Sequence, residues 1–310
     1  MNHNLLFSTL AFALSASSLN TKRLCSGFAP QNDRYIPVHR NSDEATGISE
    51  SDFNLVLDKV ENLYASIVQE KGGVFEINRM WTNGTVNASA EQIGEKWVIN
   101  MYGGLARHEL MTADGFLLVA CHELGHHLAG KPKYSSYFGG SSWASVEGQS
   151  DYYGTTKCLK RVYSSMSDEE LAQFKSDDLL AKSDCAKVYT NSRDQLICER
   201  SAIAGKVLGN VLAELGGQSE VKLETPTDAV YSGIYQYHPK AQCRLDTYFQ
   251  GALCSISFGQ DFSNTDQLVG ACSAEAEFEK GSRPKCWFNP DSSTEKPSPI
   301  LGLQSKEIYY

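Results

Sequence analysis

The chain has 310 residues, a formal net charge of −9 and 41% hydrophobic residues. That length allows one large or two ordinary domains around a buried core, and the plentiful apolar and aromatic residues exclude a disordered or collagen-like chain. The acidic balance argues against a nucleic-acid partner, which a basic patch would attract, while nine cysteines point to an oxidising compartment although their number is odd.

In chain order, the first feature is LLFSTLAFALSA at residues 5–16. The run is too short to cross a bilayer, which takes about 20 residues. Followed by small residues, it reads as the apolar core of an export signal over residues 1–20. No later run approaches a membrane-spanning length without charges, so the expectation is a periplasmic or extracellular chain without stable membrane insertion. Residues 21–50 are polar and irregular and read as an extended arm. Ser51 and Asp52 can then cap a helix in which Phe53, Val56, Leu57, Val60, Tyr64, Ile67 and Val68 recur at helical spacing, stopped by Gly72-Gly73.

The period then changes. VFEINRMW, TVNASAEQ and KWVINMYG read as consecutive antiparallel strands, with Asn83-Gly84 as a hairpin signal between the first two. Asn83 and Asn87 each open a glycosylation sequon. A helix is expected from about Ala113 to Ala129, closed by Gly130 and Pro132. Residues 131–142 form a Gly/Ser/Tyr-rich loop, and WASVEGQSDYYG reads as helical from about Ala144. Ser167-Asp-Glu-Glu170 is a capping box opening a helical block that runs through Leu215. Residues 217–240 are irregular, RLDTYFQGALCSI is helical again, and residues 259–310 form a loop-rich tail containing cysteines.

The chemistry sits in CHELGHHL. His122-Glu123-Leu124-Gly125-His126 is an H-E-x-x-H on a predicted helix. Residues four apart share a helix face with Cβ atoms about 5–6 Å apart, so His122 and His126 can hold one metal ion without distorting the backbone. Glu123 is then placed to take a proton from an activated water. Imidazole and carboxylate donors suit zinc, and a catalytic site leaves one position open. The apolar run FLLVA ahead of the motif predicts a buried helix, where unpartnered His and Glu side chains would be costly. His127 points about 100° away and does not join the pair easily. Glu147 is the better third ligand, with Asp151 one turn later to orient a ligating imidazole through its free N–H.

HELGH followed by E-x-x-x-D resembles the gluzincin arrangement of zinc peptidases. His238-Pro239 followed by Arg244-Leu245 resembles the His-Pro…Arg element of the CaaX prenyl endopeptidase and HtpX-like family of gluzincins. The resemblance covers roughly residues 90–255 through three short motifs in order. It implies an α+β, zincin-like fold, mainly helical, with a small antiparallel sheet before the active-site helix. It also implies one Zn²⁺ ion and a protein or peptide substrate. The metallopeptidase domain would span residues 51–258. His238 would serve as a second donor to the oxyanion, with Tyr235 or Tyr237 as fallbacks. Arg244 would hold the acidic residues of the site or a substrate carbonyl, or act as a structural ion-pair partner. Multi-span members of that family have spans this chain lacks, and prenylated substrates do not carry over.

The sequence therefore leads to an exported zinc endopeptidase. The rival reading is a non-catalytic, zinc-containing binding or chaperone-like module, which would have no use for Glu123. KWVINMYGG, just before the motif helix, is a candidate edge strand for an extended substrate. Cys121, inside the motif helix, is expected to be a free buried thiol. That would leave Cys25, Cys158, Cys185, Cys198, Cys243, Cys254, Cys272 and Cys286 to staple the C-terminal half.

Overall fold

Ser49 opens the first helix: its side chain accepts the Asp52 N–H, two residues upstream of the expected cap. This helix, α1 (Glu50–Glu70), buries the expected stripe of Phe53, Val56, Leu57, Val60, Tyr64 and Val68. The computed structural model describes residues 23–24, 27–38, 47–135, 141–273 and 278–290. The expected export signal lies outside the described residues, as do parts of the arm and of the tail.

The sheet departs from the expected meander. Its strands are β1 (Arg23–Leu24), β2 (Val74–Met80), β3 (Ala88–Ile93) and β4 (Lys96–Tyr102), in the order β1-β3-β4-β2. β3 and β4 form an antiparallel hairpin whose turn uses Gly94 at φ +59. β2, however, pairs with β4 in parallel, with Val74 opposite Lys96. Asn83-Gly84 therefore does not close a hairpin between neighbours. Its carbonyls have other partners: Arg107 donates to Trp81 O and Asn83 O, and Gly104 N–H donates to Asn83 O. β4 is also no edge strand, because β2 and β3 occupy both of its ladders.

After the short α2 (Gly103–Ala106), Thr112 caps α3 (Ala113–Leu128) by accepting Gly115 N–H. Every residue of α3 from Gly115 to His127 is buried. The next segments, β5 (Lys133–Ser135) and β6 (Ser141–Ser145), pair antiparallel where a loop and a helix start were expected. Helix begins only at α4 (Glu147–Tyr153), because the Lys133–Ser145 pairing and the extended backbone of Val146 (ψ 161) hold the preceding residues in strand geometry. α4 runs through a π-turn at Gly154–Cys158 into α5 (Leu159–Ser164).

The capping box of Ser167 and Glu170 is fully formed at α6 (Asp168–Ala172). α7 (Leu179–Val188) and α8 (Ser192–Leu215) complete the helical block. β7 (Gly233–Ile234), α9 (Ala241–Leu253) and β8 (Phe288–Asn289) follow, with β7 and β8 paired. The architecture is mixed and mainly helical, with α3 at its centre packed by α1, α4, α8 and β3. No helix among the described residues is long and apolar enough to cross a membrane.

Disulfides join Cys121–Cys158, Cys185–Cys198, Cys243–Cys286 and Cys254–Cys272. The expectation of a free thiol at Cys121 is overturned. The π-turn lies against α3, bringing the Cys121 and Cys158 Cα atoms to 5.5 Å, within bridging range. All eight cysteines among the described residues are paired, and Cys25 lies outside them.

Candidate metal centre

α3 presents His122 and His126 on one face, with ring centroids 4.8 Å apart and planes at 88°. Each Nδ1 has a partner: Asp151 Oδ1 at 2.7 Å from His122, and Ser145 O at 2.8 Å from His126. Because those acceptors take the Nδ1–H, Nε2 is the ring nitrogen that carries the lone pair when each imidazole is neutral. Both face Glu147 at the first turn of α4: His122 Nε2 is 3.3 Å from its Oε2, and His126 Nε2 is 3.7 Å from its Oε1. The helices come this close because residue 125 is glycine. A Cβ there would meet the Ser150 backbone at 3.0 Å.

Asp151 anchors a second layer. Arg244, on α9, grips it with Nε to Oδ2 and Nη2 to Oδ1, both 2.7 Å, and Tyr248 donates to Oδ1 at 2.6 Å. Arg244 Nη1 also donates to Phe28 O at 2.6 Å. Of the roles open to Arg244, the geometry places it on the acidic residue. His238 Nε2 reaches the cluster, 3.4 Å from Glu147 Oε2, and donates to Gly27 O at 2.7 Å.

Glu123 stands apart: both carboxylate oxygens are buried and neither has a hydrogen-bond partner. Burial pushes its pKa up to about 8, despite the opposing charge of His122. Burial would also raise the pKa of Glu147, but His238, His126 and His122 together hold it well below the usual carboxylate range. Asp151 is likewise held low, Arg244 and His122 outweighing its desolvation. The two motif histidines diverge. Burial takes His126 down to about 4, whereas Asp151 and Glu147 overcome burial at His122 and lift it to about 9.

The donor set fits a divalent cation. His122, Glu123 and His126 each offer a ligand atom within 4.8 Å of the others. Glu147, the carboxylate the sequence reading named as third ligand, lies in front of both Nε2 atoms. His127 faces away as expected: its Nε2 meets Val98 O at 3.2 Å and its ring stacks between Trp97 and Trp143, where burial pulls its pKa down to about 3. Tyr237 is 70% exposed, and the backbone N–H of Tyr235 donates to Trp287 O at 2.8 Å.

Three participants escaped sequence reading. Tyr134 donates to Glu147 Oε1 at 2.8 Å, Ser150 Oγ lies 3.0 Å from His126 Nδ1, and Tyr248 donates to Asp151. Tyr248 had a faint signal, one helical turn after Arg244. Tyr134, on β5, had none. No protein-family profile matches the chain, and no curated protein or solved structure matches it either.

Proposed function

We propose that the chain is an exported, zinc-dependent endopeptidase of the gluzincin type on a zincin-like fold. The observation that carries this reading is the Glu123 carboxylate, buried without a hydrogen-bond partner beside two imidazoles whose Nε2 atoms face Glu147. A site that held metal only for structure would gain nothing from an unpartnered buried carboxylate, which is costly to maintain. The order of HELGH, E-x-x-x-D and His-Pro…Arg supports the same reading. Four disulfides are compatible with an oxidising, exported location.

His122, His126 and Glu147 would hold the ion, leaving one position open. The chemistry supplied by zinc there is Lewis acidity: it polarises a peptide carbonyl and brings the pKa of a water near neutrality. Glu123 takes the proton of the attacking water and passes it to the departing amine. His238 donates its Nε2 hydrogen to the developing oxyanion once it leaves Gly27 O. Asp151 fixes the His122 ring, and Arg244 and Tyr248 fix Asp151.

The test is metal analysis with a casein digestion assay. Wild type should carry about one zinc per chain and cleave unfolded protein. Glu123→Gln should keep the metal and lose at least a hundredfold in rate, and Glu147→Ala should lose most of the metal. Equal cleavage by wild type and Glu123→Gln overturns the mechanism, and full zinc occupancy in Glu147→Ala overturns the ligand assignment.

A further inference from the structure

Residues 23–24 and 27–29, ahead of α1, run along the outer edge of β3 beside the candidate centre. β1 pairs antiparallel with the outer edge of β3, Arg23 opposite Gln92 and Leu24 opposite Glu91. Farther along the same edge, Phe28 N–H donates to Ala88 O at 2.9 Å, and Asn87 clamps the Ala29 backbone through both its Oδ1 and its Nδ2. Between these anchors the arm reaches the reactive groups. Gly27 O accepts from His238 Nε2 at 2.7 Å. The fully buried Phe28 ring meets His122 edge-on at 5.4 Å and lies under the Arg244 guanidinium at 4.7 Å.

A backbone carbonyl held by the imidazole next to Glu147, on a chain added to a sheet edge, is the posture of a bound peptide. β3 offers the edge that β4 cannot, since β4 is enclosed on both sides.

We propose that residues 23–24 and 27–29 are an intramolecular occupant of the peptide-docking edge, and that the substrate is an extended polypeptide adding to the outer edge of β3 in the same antiparallel direction. Substrate then takes the place of the arm, its carbonyl replacing Gly27 O at His238. A tethered occupant acts at an effective concentration on the order of millimolar, so a micromolar substrate does not displace it. Cutting the tether between the arm and α1 removes that advantage. The proposal rests on the endopeptidase reading only where it expects faster cleavage; occupancy of the edge is independent of it.

The test inserts a site-specific protease sequence after Val38 in the full chain, cuts it, and separates the freed arm by gel filtration. A fluorescent peptide of residues 23–30, in its Cys25→Ser form, then reports edge binding. The expected result is that the peptide binds the cut protein but not the uncut one, unfolded casein competes it off, and casein cleavage rises at least tenfold. If casein does not compete with the bound peptide, or the peptide does not bind after the arm has left, the proposal is overturned. Binding and competition without cleavage, at full zinc occupancy, uphold the docking edge and sink the endopeptidase reading instead. Should the arm stay in place after cutting, Phe28→Ala in the uncut chain decides. That variant is expected to bind the labelled peptide, and failure to bind it overturns the proposal.

Discussion

Asp151→Asn isolates the layer that holds the centre in place. The carboxylate accepts from His122 Nδ1, from Tyr248 and twice from Arg244. Asparagine keeps one acceptor but turns an amide NH₂ toward a donor at the other position, and it removes the carboxylate that grips a guanidinium just 1% exposed. Arg244 cannot swing into water, because Phe28 covers it. Deleting one partner of a buried ion pair costs about 3–5 kcal/mol, chiefly from the stranded charge. Urea unfolding at neutral pH with intact disulfides should show a loss of that size. Zinc affinity should fall about 10–100-fold as His122 loses its orienting partner. The double replacement Asp151→Leu/Arg244→Met should cost less than the single change, since it strands no charge. A loss below about 1 kcal/mol for Asp151→Asn, or a double variant less stable than the single one, would refute the claim that the pair is desolvated.

Two further outcomes follow from other parts of the molecule. Lys157 sits on the π-turn with its Nζ donating to Ser257 O and lying 5.0 Å over the Phe262 ring, and burial pulls its pKa down to about 7. Between that value and the unfolded-state value of about 10.4, the unfolded chain binds a proton that the folded chain does not. Stability therefore rises with pH across this window, by about 1 kcal/mol per unit from this group. Lys157→Met should remove that increment from the pH series, and parallel wild-type and mutant curves between pH 7.5 and 9 would count against it. Alkylation of the unfolded, unreduced protein should modify neither Cys121 nor Cys158, as read by peptide mapping; labelling of Cys121 would restore the free thiol.

What was legible in the sequence was local. α1, α3 and α6 announced themselves through apolar spacing and caps, because a helix closes its hydrogen bonds within a few residues. The motif was legible for the same reason: the i, i+4 relation of His122 and His126 needs nothing beyond one helix. Glu147 and Asp151 could be inferred only because a metal site requires more donors than one helix supplies. What failed was non-local. The alternation in VFEINRM marks a strand but carries no information on whether β2 pairs with β3 or β4, and the outcome was decided by Arg107 and Gly104 capturing the Asn83 carbonyl. The acceptor that fixes His126 is the Ser145 carbonyl, a group that every residue possesses. Cys121 was misread because its partner lies 37 residues away on a turn whose π geometry leaves no mark in composition.

The charges at the centre make a last argument that neither the motif nor the fold makes alone. Glu123, Glu147 and Asp151 are all fully buried, and the Arg244 guanidinium is committed to Asp151. Without a metal, Glu147 is balanced by a His122 lifted to about 9, and Glu123 only by taking up a proton itself, its pKa lifted to about 8. A divalent cation held by the Nε2 atoms and Glu147 would take over that role, and buried carboxylates without such compensation are expensive. Chelation should therefore destabilise the fold as well as abolish cleavage. With metal at about a thousand times its dissociation constant, the linkage contribution is about 4 kcal/mol, read as a fall in melting temperature on adding a chelator and its recovery on adding back zinc. Magnesium should not restore it, because imidazole donors disfavour that ion. Identical melting curves with and without chelator, at zinc content confirmed before and after, would mean that these carboxylates are balanced without a metal.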